Sequence, residues 1–123
     1  MESYSSLVQR QLEAYNNKDI EGWLSTYAED ARQFDLHGEC IANGHVEMKA
    51  RMLTRFKEPN LHARLLSRTI MNNIVVDHEI ITRNFPDGKG EVEMLCIYEI
   101  KQGLIQTASF SLGTPTIFEK IND

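Results

Sequence analysis

Apolar residues recur at helical spacing through the first half of the chain and alternate with polar ones through the second, with the change falling at Pro59. Tyr4, Leu7, Val8, Leu12 and Tyr15 share one broad face and predict a helix over about residues 4–16. Ile20, Trp23, Leu24 and Tyr27 fall at i, i+3, i+4 and i+7, predicting a second helix over about 20–29. Asp19 stands at its N-cap and Glu21 places negative charge in its first turn. A strand follows directly, carrying Asp35. Met48, Met52 and Phe56 mark a third helix over about 45–57, with Asn43-Gly44 before it and Pro59 after it.

Beyond Pro59 the period becomes two. Residues 61–70 alternate loosely, and Ile74 through Arg83 is rich in β-formers. Pro86-Asp87-Gly88-Lys89-Gly90 is a turn cluster. Val92, Met94, Cys96, Tyr98 and Ile100 then alternate against Glu91, Glu93 and Glu99. Gln102-Gly103 turns the chain into a last long strand, Leu104 to Leu112. Helices first and a meander of long strands second predict an α+β fold in one domain over 1–123. Strands this long must twist and bend. The expected shape is a cone: a strongly curved antiparallel sheet with three N-terminal helices on its concave face and an apolar cavity between them.

Composition narrows the function classes. The 123 residues carry a formal net charge of −5 and no clustered Lys or Arg, which argues against nucleic acid as a partner. No apolar run is long enough to span a bilayer, and the first residues lack the basic and apolar regions of a signal peptide. A cytoplasmic protein without a membrane partner is the expectation. Cys40 and Cys96 lack metal-ligand spacing and read as free thiols. The four histidines form no ligand set with carboxylates, and no Gly-rich phosphate loop occurs, so neither metal nor cofactor is expected.

Several segments together carry a family resemblance. Tyr15 precedes Asn16-Asn17-Lys18-Asp19, the segment Tyr27-Ala28-Glu29-Asp30-Ala31 follows, and Asp35 is followed by Gly38. Ile97-Tyr98-Glu99-Ile100 precedes a glycine turn and Leu104-Ile105-Gln106. With the order of elements, these resemble the SnoaL-like and ketosteroid isomerase-like branch of the nuclear-transport-factor-2-like superfamily. In ketosteroid isomerases a tyrosine of the first helix donates to the developing oxyanion, an aspartate of the first strand moves the proton, and a protonated aspartate on a later strand completes the oxyanion hole. The resemblance carries the first role to Tyr15 and the second to Asp35; the third position falls on Cys96. A thiol is a weak donor, so half of that oxyanion hole is missing.

The residues themselves leave alternatives open. Asp35 shares a strand face with Gln33 and His37; simple alternation puts Phe34 and Leu36 in the core, whereas the resemblance implies that the polar face lines the cavity. Tyr15 is either a donor or an amphipathic core residue. His78 shares its strand face with Ile74, Val76 and Ile80, so it reads as an inward group and a further catalytic candidate, while Asp77 and Glu79 read as a solvated face. Trp23, Tyr27, Gln33, Met52 and Phe56 are expected to line the pocket from the first half of the chain. Met94, Cys96, Ala108 and Phe110 are expected to line it from the strands.

The leading expectation is a cofactor-free isomerase or cyclase that moves a proton on a small hydrophobic carbonyl compound, with Asp35 as base and Tyr15 as donor. The alternative is a non-catalytic small-molecule-binding or dimerisation module of the same fold. A weaker third is a dehydratase using His78 or His37. A homodimer through the outer sheet face is expected, because by alternation Ile105 opposes Leu104, Ala108, Phe110 and Leu112, so both faces of the last strands carry apolar residues.

Overall fold

The computed structural model describes residues 2–120. The first helix, α1 (Tyr4–Asn16), starts where the Ser3 hydroxyl accepts the Ser6 N–H, and it buries Leu7, Val8 and Leu12 as its periodicity predicts. The second, α2 (Ile20–Leu24), is capped by the Asp19 carboxylate on the Gly22 N–H. It stops five residues short of the expected end. The Thr26 N–H and hydroxyl both fold back onto the Trp23 carbonyl, and the Thr26 carbonyl accepts the Ile105 N–H at 2.9 Å. Sheet pairing thus captures the chain just before Tyr27, which becomes the first residue of β1 (Tyr27–Asp35) and not the fourth of a helical stripe.

The chain continues through β2 (Cys40–Asn43), α3 (Gly44–Arg55), β3 (His62–Met71), β4 (Ile74–Phe85), β5 (Gly88–Lys101), β6 (Leu104–Leu112) and β7 (Thr116–Lys120). The two short strands, β2 and β7, are additions to the elements read from the sequence. The sheet runs β2-β1-β6-β5-β4-β3, with β7 also on β5. Every pairing is antiparallel except β1 with β6, which is parallel. Those two strands are far apart in sequence, so no hairpin dictates their relative direction. Register breaks in β1, β3 and between β5 and β6 bend the sheet, which curves without closing. The helices cover its inner face and bury Trp23, Met48, Val75, Ile81, Ile100 and Ile105. No helix among the described residues is long and apolar enough to cross a membrane.

Two strand faces differ from the simple alternation. On β4 the buried residues are Val75, Asp77, Glu79 and Ile81, while Ile74, Val76, His78 and Ile80 are only half-buried on the outside. The pairing of Val75 with Tyr98, Asp77 with Cys96, Glu79 with Met94 and Ile81 with Val92 decides this, because cross-strand partners share a face and β5 turns Val92, Cys96 and Tyr98 inward. Asp77 tolerates full burial because Arg68 meets both of its oxygens, at 2.7 and 2.9 Å, and also donates to the Ser5 carbonyl and Gln9 Oε1 on α1. His78 instead lies outside, 3.3 Å from Glu93. On β6, Glu99 pairs with Thr107 but Ile100 pairs with Ile105, so Gln106 is an extra residue. Ile105 and Ala108 therefore both point inward, and the expectation that they oppose each other across the sheet is corrected.

Candidate functional site

A cavity of about 350 Å³ opens between α1, α3 and the inner face of the sheet. Leu12 and Tyr15 face it from α1, Met52 from α3, and Ile81, Met94 and Phe110 from the strands. Asp35, Leu36, His37 and Leu112 are exposed and form its mouth. The interior is apolar with a small set of polar groups, the composition of a small-molecule site.

The buried carboxyl of the cavity wall is Glu79. It is 3% exposed, lines the cavity, and its Oε2 has no hydrogen-bond partner among the described residues. Burial, reinforced by the neighbouring Asp77 charge, pushes its pKa from 4.5 up to about 7. Around it the buried polar groups form a chain: the Tyr98 hydroxyl donates to Gln11 Oε1 at 3.4 Å, and Gln11 Nε2 donates to the Tyr27 hydroxyl at 3.5 Å. Burial raises the pKa of both tyrosines and of the Cys96 thiol, so all three stay protonated at neutral pH. Opposite, Arg51 Nη1 donates to Gln33 Oε1 at 3.4 Å. Gln33 Nε2 and Trp23 Nε1 are buried donors without partners among the described residues. Burial and the nearby Arg55 and Arg83 charges press the Arg51 pKa downward.

The expected site residues separate into three groups. Gln33 and Asp35 lie on the cavity side of β1, as the resemblance implies and against the simple alternation; Phe34 lies beneath Arg32. Asp35 is exposed at the mouth, where its Oδ1 accepts the His37 N–H at 2.9 Å and closes an Asx turn. Tyr15 lines the cavity, stacks edge-on against Phe56 at 5.9 Å, and is pushed up to about 12 by burial. Trp23, Tyr27, Met52, Met94 and Phe110 line it as expected. Phe56, Cys96 and Ala108 are corrected from the lining to the core: all three are buried in the hydrophobic cluster and do not border the space. His78 is corrected to the outer face. No group of His, Cys, Asp or Glu among the described residues is arranged to hold a metal ion.

Two groups escaped the sequence reading. Glu79 was assigned to the wrong face, although Val75-x-Asp77-x-Glu79-x-Ile81 alternates as well as its complement does. Arg51 stands at i+3 from Met48 and i−4 from Arg55, on the same helical stripe as Met52. A cation beside the buried Met48 and Met52 was the available signal.

Residues 8–108 match the family model of the SnoaL-like domain. The chain belongs to the SnoaL-like family. Solved structures agree on the fold of this SnoaL-like protein. An uncharacterised cystatin-fold protein from Novosphingobium aromaticivorans superposes with a TM-score of 0.83 at 16% identity, over 90% of this chain and 99% of that one. A protein from Sinorhizobium meliloti described as a candidate polyketide cyclase gives 0.73 at 20% identity, over 85% and 93%. A ketosteroid isomerase-like protein from Catenulispora acidiphila, solved with trimethylamine, gives 0.74 at 12% identity, over 85% and 83%. No curated protein matches this SnoaL-like chain in sequence.

Proposed function

We propose that this SnoaL-like protein catalyses proton transfer on a small hydrophobic carbonyl compound, an enolisation, cyclisation or double-bond shift, with Glu79 as the acid–base group. One observation supports the reading: a buried carboxyl with a pKa of about 7 lines the cavity, and one of its oxygens has no hydrogen-bond partner among the described residues. A base works best near the operating pH, and burial is how a fold brings a carboxylate there. In the step proposed, Glu79 takes a proton from the carbon next to the carbonyl. The C–H electron pair moves into the new C=C bond and the carbonyl pair onto oxygen. The protonated Glu79 then returns the proton at a second carbon, so nothing is oxidised or reduced. Tyr15, protonated up to about 12, is the hydroxyl donor for the oxyanion. The neighbour described as a candidate polyketide cyclase is in keeping with this chemistry.

Asp35 is the base in a second reading, favoured by its place on the cavity side of β1. Deuterium exchange into hydrophobic ketones, followed by NMR, separates the two. Glu79→Gln is expected to lower the rate by ~10²–10⁴ and Asp35→Asn by less than about tenfold. The reverse order transfers the role to Asp35, and exchange untouched by either substitution leaves a binding module. We further propose a homodimer through the outer face of the sheet, where Val76 pairs with Ile97 and His78 with the exposed Leu95. Sedimentation showing only a 14.1 kDa species at micromolar concentration would refute the dimer. Free Cys40 and Cys96 are in keeping with a cytoplasmic location.

A further inference from the structure

The arginines of this chain do not all have counterions. Arg10 pairs with Glu2, and Arg68 with Asp77. Arg55 and Arg83, both on the cavity wall, share the Glu58 carboxylate at 3.4 and 2.9 Å. Arg51 lines the same cavity and is partly buried, yet no carboxylate among the described residues lies within ion-pair distance of it. Its one side-chain hydrogen bond is the 3.4 Å contact with the neutral Gln33 amide, which occupies one of five guanidinium N–H donors. Unpaired cations are rarely kept in an enclosed wall, because lost hydration must be replaced. The chain as a whole is acidic, with a formal charge of −5, so a positive cavity wall runs against its composition.

The neighbouring unpartnered groups point the same way. Among the described residues Trp23 Nε1 and Gln33 Nε2 are buried donors without acceptors, and both residues line the cavity. Arg51, Trp23 and Gln33 therefore line a space that Met52, Ile81, Met94 and Phe110 also line. We propose that the ligand is a carboxylate on an aromatic or alicyclic body, its carboxylate held by the Arg51 fork and its apolar part by the strand side chains. A planar fork matches a carboxylate in bidentate fashion, which makes arginine suited to this role where lysine is not. The inference deepens the proposed reaction: with that reading, the substrate is an acid that also carries the carbonyl.

Calorimetry with 2-naphthoate and 2-naphthamide, which differ in charge but hardly in shape, tests the anion site without catalysis. The wild-type protein is expected to bind the carboxylate at least about tenfold more tightly than the amide, the lower end for a hydrogen bond to a charged group. Arg51→Gln should abolish the preference, and Arg51→Lys, which keeps the charge without the fork, should retain part of it. Glu79→Gln should retain the preference while losing proton exchange. Equal binding of the two probes by the wild type, or binding of neither, overturns the proposal without any variant. So does a preference that survives Arg51→Gln. Carboxylate preference with Glu79-independent exchange sinks the proposed base and leaves the anion site standing. Indifference to charge with Glu79-dependent exchange does the opposite.

Discussion

Replacing Glu79 by glutamine should remove a loss of stability with rising pH in a defined window. Glu79 ordinarily titrates at 4.5, and burial beside Asp77 raises it to about 7 in the folded chain. Between those two values the folded state holds a proton that the unfolded chain has lost. Stability must then fall as pH rises through the window, because the unfolded state binds fewer protons. The full contribution is present below about 4.5 and gone above about 7. A rise of that size corresponds to about 3 kcal/mol. Glutamine has nearly the same volume and does not ionise, so the variant lacks this loss. Urea unfolding of both proteins from pH 4.5 to 8 reads the contribution of the group as the difference between the two. The difference should grow with pH in favour of glutamine by about 3 kcal/mol and level off above pH 7. Parallel curves, or a variant less stable at pH 8, would refute the claim that the buried carboxyl resists ionisation. The same proton sets the rate: exchange should rise through about pH 7 and then plateau, and a rise centred near 4.5 would remove Glu79 from the base role.

Tyr15→Phe should slow exchange by about tenfold, less than the ~10²–10³ typical of losing an oxyanion donor, because Trp23, Gln33 and Arg51 remain as donors on the same cavity; a loss equal to that of Glu79→Gln would show Tyr15 to be the dominant donor. Arg68→Met leaves the fully buried Asp77 without its ion-pair partner, so unfolding measurements should show a loss of about 3–5 kcal/mol. Gly90→Ala would drive a methyl group into the Thr116 carbonyl of β7, and a loss of about 1–3 kcal/mol together with faster amide exchange across Thr116 and Ile117 is expected.

The helical half of the fold was legible because its period is strong. The stripes of α1 and α3 bury Leu7, Val8, Leu12, Met48 and Met52 as read from spacing alone, and the switch to strands after Pro59 needed only composition and turn residues. Gln33 and Tyr15 also emerged on the cavity, through the family resemblance. The base was not legible. On β4, Ile74, Val76 and Ile80 alternate with Val75 and Ile81, so both faces carry enough apolar residues to be the inner one. Only the register against β5 chose between them, and it carried Glu79 inward and His78 outward. A strand's local energetics are almost indifferent to that choice, because the period of two is satisfied either way. The same holds at the end of α2, where a long-range hydrogen bond from Ile105 to Thr26 overrides a helical stripe that continues to Tyr27. Arg51 became meaningful only once its surroundings showed that no acidic side chain reaches it. Local periodicity specifies elements; which side of a strand is buried, and which charges find partners, depends on residues far apart in the chain that only the folded sheet brings together.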